Sequence, residues 1–294
     1  MVSKDLTLRH RAEALKALHR AGNPLLLVNA WDVASARLVE DAGLPAVATT
    51  SAGIAFCHGY PDGQKIPMDL MMEAVGRICR AVSVPVTADL EAGYGATPDA
   101  ARRAASAALE AGAVGLNLED GTGAPEHPLD DPALMREKIF AIRDAGDAVD
   151  VHLVINARTD IYLDAVGAPE GRFAEAVRRA GVYRDAGADC VFIPGVTDRP
   201  LIAALVAELA CPVNILAVAG SPSLAELAAA GVARVSLGSG PYRATMTLLQ
   251  RMIREISREG TYSELHGIVS HATVNARMRR EEEPGGAFPI PTRG

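Results

Sequence analysis

Acidic side chains occur in three short polar segments of the sequence. The segment DLEAGYG contains Asp89 and Glu91, the segment NLED contains Glu119, and the segment NARTD contains Arg158. Asp89 and Glu91 are two residues apart and would share one face of a strand. Carboxylates packed this closely need a counterion, and a site made of oxygen ligands suits Mg²⁺ or Mn²⁺. The sequence therefore predicts a metal site formed by Asp89, Glu91 and Glu119.

Arg158 ends an otherwise apolar run, LVINAR. A buried arginine is costly without a partner, and its planar fork suits a carboxylate of the protein or of a substrate. The turn Ser51-Ala52-Gly53 offers backbone N–H groups for an anion, although an ordinary turn could have the same composition. Glu91 and Asp120 could likewise be helix N-caps or solvated loop charges. Taken together, these residues favour a site for a metal and a small carboxylate.

Eight short apolar runs carry these polar residues at or near their ends. They cover residues 24–32, 40–51, 84–93, 110–121, 151–160, 185–195, 211–220 and 229–240. Helix-forming segments separate the runs, and parallel strands require such crossover helices, so the sequence predicts a (β/α)8 TIM-type barrel. An open doubly wound sheet is the alternative, but no G-x-G-x-x-G follows the first run. In a barrel the strand ends converge on one mouth, which would also include Asn214 as a substrate-binding residue.

The rest of the chain limits the possible partners. The net charge is −7 and no concentrated basic face is evident, which argues against binding to nucleic acid. We find no apolar run long enough for a membrane span and no secretory pattern, so we expect a cytoplasmic protein. Residues 241–258 and 262–279 are predicted helices. We expect residues 1–258 to form the barrel, and residues 259–294 to add a C-terminal helix and a flexible tail to the same domain.

The three acidic segments, in this order and spacing and together with the SAG turn, resemble the isocitrate lyase/phosphoenolpyruvate mutase superfamily. The resemblance extends from residue 25 to about residue 258. It implies an α/β barrel whose eighth helix is exchanged with a neighbouring subunit, giving a homodimer or homotetramer. It also implies that Asp89, Glu91 and Glu119 hold Mg²⁺, directly or through water. A further acid of the superfamily matches Asp62, so the implied catalytic residues are Arg158, Glu119 and Asp62.

The resemblance further implies that a 2-oxo acid is bound by the metal, by the backbone of Ser51, Ala52 and Gly53, and by Arg158. Binding of this kind would stabilise an enolate. The lid differs from those of the superfamily, because residues 121–128 read GTGAPEHP and contain no cysteine, lysine or asparagine. Thr49 also replaces an aromatic residue. His127 could substitute as a proton donor, although an incidental loop histidine would look the same, and Cys57 is a weak candidate nucleophile.

These departures leave three hypotheses for the function. The first is a Mg²⁺-dependent carbon–carbon lyase or decarboxylase that acts on a small 2-hydroxy or 2-oxo dicarboxylate. The second is an enzyme of the phosphoenolpyruvate or phosphonopyruvate mutase or hydrolase type. The third is a 2-oxo acid-binding protein with little catalysis.

Overall fold

The computed structural model describes residues 4–279 and contains a closed barrel of parallel strands. The strands are β1 (Leu25–Leu27), β2 (Asn29–Ala30), β3 (Val47–Thr49), β4 (Val86–Asp89), β5 (Gly115–Glu119), β6 (Val154–Arg158), β7 (Cys190–Phe192), β8 (Val213–Leu216) and β9 (Arg234–Ser236). Only Val28 separates β1 from β2, so these two form one barrel strand. The ring closes there, because β1 pairs with β9 and β2 pairs with β3. All eight predicted runs contain a strand, which confirms the predicted barrel.

The described residues also form eleven α-helices. They are α1 (Lys4–Ala17), α2 (Val33–Asp41), α3 (Ser51–Cys57), α4 (Met68–Ala81), α5 (Pro98–Ala111), α6 (Pro132–Asp147), α7 (Arg172–Asp185), α8 (Arg199–Leu209), α9 (Leu224–Ala229), α10 (Gly240–Glu259) and α11 (His271–Met278). Local chemistry sets their ends. Thr97 caps α5 by accepting a hydrogen bond from the N–H of Ala100, and Gly112 ends it with a left-handed φ of 104°.

The core lies between the helices and the strands and also fills the barrel. Helix α1 contributes the fully buried residues Ala12 and Leu15. Leu15 explains the glycine at the start of β5, because a Cβ on Gly115 would lie 2.7 Å from Leu15 Cδ2. This helix therefore packs against the barrel at the start of the strands, away from the strand ends that carry the acids.

The C-terminal part matches the sequence predictions only partly. Helix α10 corresponds to the helix predicted for residues 241–258. The helix predicted for residues 262–279 is wrong in its first half, where the chain forms a short 3₁₀ helix (Ser263–Leu265) and turns at Gly267 with a φ of 70°. Only α11 follows, capped by Ser270. The predicted flexible tail falls mostly on residues 280–294, outside the described residues. The helices of residues 4–279 include none with the length and apolar character needed to cross a membrane.

Candidate active site

Asp89 ends β4 and is held from two neighbouring strands. Its Oδ2 accepts hydrogen bonds from the backbone N–H of Ser51 at 3.1 Å and from the Ser51 hydroxyl at 2.7 Å. Its Oδ1 lies 3.4 Å from Nδ2 of Asn117, and its backbone N–H donates to the Thr49 hydroxyl at 3.0 Å. Thr49 thus helps to fix the end of β4.

Glu91 lies in a turn and not on a strand, which corrects the expectation that it shares a strand face with Asp89. Strand β4 stops at Asp89, and Glu91 has a φ of 52°. The tight turn from Leu90 to Gly93, closed by a 2.9 Å backbone hydrogen bond, breaks the alternation. The Glu91 side chain is nevertheless buried, and its Oε2 accepts from the N–H of Gln64 at 2.6 Å. The turn therefore returns this carboxylate to the vicinity of Asp89.

Asp62, on the loop between α3 and α4, completes a group of acids that we call the acidic side (Asp62, Asp89 and Glu91). Burial, together with the carboxylates of Asp89 and Asp62, raises the pKa of Glu91 to about 7. Burial also raises the pKa of Asp62, and the Asp89 carboxylate adds to that effect. Asp89 is therefore close enough to both Glu91 and Asp62 to disfavour the ionisation of these two carboxyl groups.

Arg158 ends β6 and lies between two carboxylates, in an arrangement that we call the arginine clamp (Glu119, Arg158 and Asp160). Asp160 accepts from Nε at 2.5 Å and from Nη2 at 2.9 Å, while Oε2 of Glu119 lies 2.6 Å from Nη1. Burial alone would lower the pKa of Arg158, but these carboxylates raise it above its ordinary value. Because a guanidinium has five N–H donors, the clamp leaves some free for a substrate carboxylate.

A buried network stands behind the clamp. Asp120 is fully buried and accepts hydrogen bonds from the Tyr183 hydroxyl at 2.6 Å and from Arg179 at 3.0 Å. Its other oxygen accepts from the backbone N–H of Asp160 at 2.9 Å. Asp120 is thus neither a helix cap nor a solvated charge. It fixes the segment that carries Asp160.

The predicted substrate-binding residues occupy different surroundings. The N–H of Ser51 is used by Asp89, and that of Gly53 donates to the Thr50 hydroxyl at 3.3 Å within α3. Gly53 must be a glycine, because a Cβ there would lie 2.6 Å from Thr50 Cγ2. Asn214 is fully buried and hydrogen-bonded to Ser236 at 3.2 Å. The structure therefore brings Ser51 to the acids, whereas the amide of Asn214 already has a protein partner.

The acids suit a hard cation that keeps part of its water. Within residues 4–279, no three His, Cys, Asp or Glu side chains form a ready-made metal cluster. However, Oε1 of Glu91 is buried without a hydrogen-bond partner in that part of the chain, beside two further acids. Mg²⁺ typically uses one or two protein carboxylates and fills its remaining positions with water and substrate. The residues present therefore fit such an ion.

Two further sequence candidates lie outside this arrangement. Burial and the Asp32 carboxylate raise the pKa of the Cys57 thiol, whereas a nucleophilic cysteine needs a lowered one. His127 lies in the lid loop, which is closed by pairing of Gly121 with Leu129. It lines a separate cavity of about 400 Å³ that includes Arg172 but none of the predicted site residues. Neither residue is placed to react with a ligand at the acids.

Some functional residues were missed in the sequence. The sequence pattern assigns no role to Asp160, although its place two residues after Arg158 lets both of its carboxylate oxygens accept from the guanidinium. Gln64 could not have been identified, because it acts through its backbone N–H and has an unusual φ of 58°. The spacing of Asp160 from Arg158 could therefore have identified it as a partner of the guanidinium, whereas no feature of the sequence could have identified Gln64.

The fold and the site define a class of proteins: α/β-barrel enzymes with acids and a clamped arginine at the mouth. The family model described as phosphoenolpyruvate phosphomutase matches residues 15–257. The chain therefore belongs to this family, within the isocitrate lyase/phosphoenolpyruvate mutase superfamily of lyases and mutases. This confirms the resemblance in the sequence and identifies the protein as an enzyme of that superfamily.

Individual relatives match most of the chain. The chain is 30% identical over 261 residues to oxaloacetate decarboxylase 2 of Pseudomonas fluorescens (strain Pf0-1), covering 85% of this chain and 86% of that protein. It is 29% identical over 273 residues to 2-methylisocitrate lyase of Salmonella typhimurium, covering 90% of each. A crystal structure from Burkholderia cenocepacia J2315, provisionally assigned as a lyase/mutase, is 36% identical with a TM-score of 0.87, covering 93% of this chain and 97% of that one.

Proposed function

We propose that this protein is a Mg²⁺-dependent carbon–carbon lyase or decarboxylase that acts on a small 2-hydroxy or 2-oxo dicarboxylate. The observation that carries the proposal is the placement of the acidic side next to the arginine clamp at one barrel mouth. The decarboxylase and the lyase among its relatives support the same reaction class. Mn²⁺ could replace Mg²⁺, because both ions accept the same oxygen ligands.

Arg158 would bind a carboxylate of the substrate with the N–H groups that the clamp leaves free. Glu119 and Asp160 hold the guanidinium on opposite sides, so its orientation is fixed before the substrate arrives. Its fixed positive charge would stabilise negative charge that develops next to the substrate carboxylate during bond cleavage. Ser51, hydrogen-bonded to Asp89, keeps the start of α3 beside the same space.

When bound, Mg²⁺ would polarise the substrate oxygen beside the breaking bond and so favour an enolate. Asp89, Glu91 and Glu119 would hold it, directly or through water. We propose Asp62 as the group that exchanges a proton with the substrate. It lies on the exposed α3–α4 loop, where it can reach both solvent and the acids.

The test is product release by the purified protein with Mg²⁺. We would incubate it with oxaloacetate, malate and a series of alkylmalates, and measure pyruvate, glyoxylate and CO2. Release from at least one substrate, and its loss after chelation of the metal, is expected. Tight binding of oxaloacetate or 2-oxoglutarate by calorimetry, with no product over hours, would instead indicate a binding protein.

A second candidate is chemistry on phosphoenolpyruvate or phosphonopyruvate, favoured by the family model that the chain matches. Phosphorus NMR separates it from the first, because mutase or hydrolase activity converts a phosphorus–carbon or phosphorus–oxygen bond and shifts the resonance. The lid, residues 121–128, departs from both kinds of enzyme, so the lyase and decarboxylase among the relatives are the reason that we rank it second.

We further propose a homodimer or homotetramer formed by exchange of α10. This helix has 20 residues, none of which is buried within the chain. Its exposed apolar residues include Met246, Leu249, Ile253 and Ile256. A helix with such a face is stabilised by packing against another surface. Light scattering should show an oligomer for the wild type, a smaller species for Ile253→Glu, and no change for the exposed control Gln250→Glu.

A further inference from the structure

The interior of the barrel contains a buried arginine. Arg234 is the first residue of β9 and only 1% exposed. Barrel interiors are usually filled by branched apolar side chains. Here Arg234 shares the interior with the buried amides of Asn117 and Asn156. A charge at this place requires a physical explanation, because burying an ion without a partner is strongly unfavourable.

Arg234 has neutral hydrogen-bond partners only. Its Nη2 donates to Oδ1 of Asn117 at 3.2 Å, and its Nη1 lies 3.4 Å from Nε2 of His19. Nε is buried and has no partner in the described part of the chain. None of the ion pairs found within residues 4–279 includes Arg234. Burial lowers the pKa of its guanidinium to about 10, and the charge of Asp89 acts in the opposite direction.

The hydrogen bonds run in one direction from Arg234 to Asp89. A guanidinium can only donate, so the group of Asn117 that faces Arg234 must be the oxygen. Asn156 donates to the same oxygen at 2.7 Å. The amide nitrogen of Asn117 is thereby turned towards Oδ1 of Asp89, at 3.4 Å. An ionised Asp89 can only accept. This series of hydrogen bonds therefore begins at a group that only donates, Arg234, and ends at a group that only accepts, Asp89.

We propose that Arg234 is a positioning residue that acts through Asn117 to hold the Asp89 carboxylate in its binding orientation. Ser51 holds one carboxylate oxygen, and the amide oriented by Arg234 holds the other. For metal binding, this inference rests on the proposed role of Asp89 as a ligand. The claim that Arg234 sets the orientation of Asn117 and Asp89 concerns only side chains of the described structure and can be tested without a metal.

The sign of the effect on metal affinity separates positioning from simple electrostatics. Arg234→Met removes the charge and the donors at similar length. If Arg234 acted only as a nearby positive charge, its removal would tighten the binding of a divalent cation. If it positions Asp89, removal should weaken binding about tenfold, the lower end of the loss seen when an outer partner of a metal ligand is mutated.

The experiment is a titration of the full-length protein with Mn²⁺ alone, counting free ion by electron paramagnetic resonance. Arg234→Met is expected to raise the Mn²⁺ dissociation constant, and Arg234→Lys, which keeps a charged donor, is expected to recover part of the affinity. Thr87→Val is the matched control. It removes the buried hydroxyl of a β4 residue, which, like Arg234 Nε, has no hydrogen-bond partner in the described chain. This variant should leave Mn²⁺ affinity unchanged.

A crystal structure of metal-free Arg234→Met provides a second readout. We expect the Asn117 amide to reorient and the Asp89 carboxylate to leave its position against Ser51. An unmoved Asp89, or Mn²⁺ affinity that stays equal or increases in Arg234→Met, would overturn the proposal. Failure of the wild type to bind Mn²⁺ would count against the proposed function, and the crystal structure would then decide the positioning role by itself.

Discussion

On the acidic side of the mouth, three carboxylates face one another, and none of the ion pairs in the described chain includes any of them. In the arginine clamp, two carboxylates share one guanidinium. The guanidinium of the clamp is therefore paired within the fold, whereas the charges of the acidic side are offset only from a distance. The acidic side is therefore the half suited to an added cation, and the clamp is the half with N–H groups left for a substrate carboxylate.

The largest expected effect concerns the acidic side. Asp89→Asn should reduce metal affinity and activity by more than about 100-fold, the upper end of the loss for a mere outer partner of a metal site. The reason is that the amide has no charge for the cation and one oxygen fewer. Calorimetry with Mg²⁺ and a product assay would measure both losses.

The matched control is Asp99→Asn, which removes an exposed acid of α5 paired with Arg102 and Arg103. It should behave like the wild type. If Asp89→Asn keeps the metal affinity of the wild type, the acidic side is not the half of the mouth that binds the cation.

The next effect concerns the clamp. Arg158→Lys keeps the charge but loses the planar fork, so it should raise KM about 10- to 100-fold, as expected for the loss of a charge-assisted hydrogen bond. Mg²⁺ affinity without substrate should stay close to that of the wild type. Arg103→Lys, on an exposed helix face, is the control. A parallel loss of metal affinity would mean that the two sides are not separable.

A smaller effect is expected for Asp160→Asn. The mutation leaves Arg158 bound to Glu119 but removes the carboxylate that receives two of its N–H groups. A rise in KM of about tenfold or less is expected, since one charged partner remains. Steady-state kinetics would give KM and kcat separately, and a fall in kcat alone would indicate that Asp160 takes part in the chemistry directly.

The smallest effect on activity is expected for the contact of His19 with Arg234, which concerns the pH dependence of folding stability. Burial, and then the positive charge of Arg234, lowers the pKa of His19 from 6.5 to about 4. Since the unfolded chain binds this proton more readily, the contribution of His19 to stability is complete above about pH 6.5 and is lost as the pH falls towards about 4. Denaturant unfolding at pH 7 and pH 5 should show a larger loss for the wild type than for His19→Gln. Equal losses would show that His19 does not titrate abnormally.

The barrel and most of the site could be predicted from the sequence because they depend on local signals. Buried parallel strands are short apolar runs, and their ends meet at one mouth, so Asp89, Glu119 and Arg158 could be grouped without coordinates. The alternation rule failed for Glu91, because the strand ends two residues earlier and the residue takes a positive φ. Strand length is decided by pairing with neighbouring strands, which a local pattern does not contain.

The sequence by itself determined the order of strands and helices, the superfamily and the residue types at the mouth. Only the tertiary structure decided which partner each charge has: Asp160 and Glu119 for Arg158, Ser51 and Asn117 for Asp89, and neutral groups for Arg234. The physical reason is that a charge is stabilised by whatever lies within a few ångströms of it. In a closed barrel those neighbours come from strands that are distant in the sequence, and the register of the strands selects them.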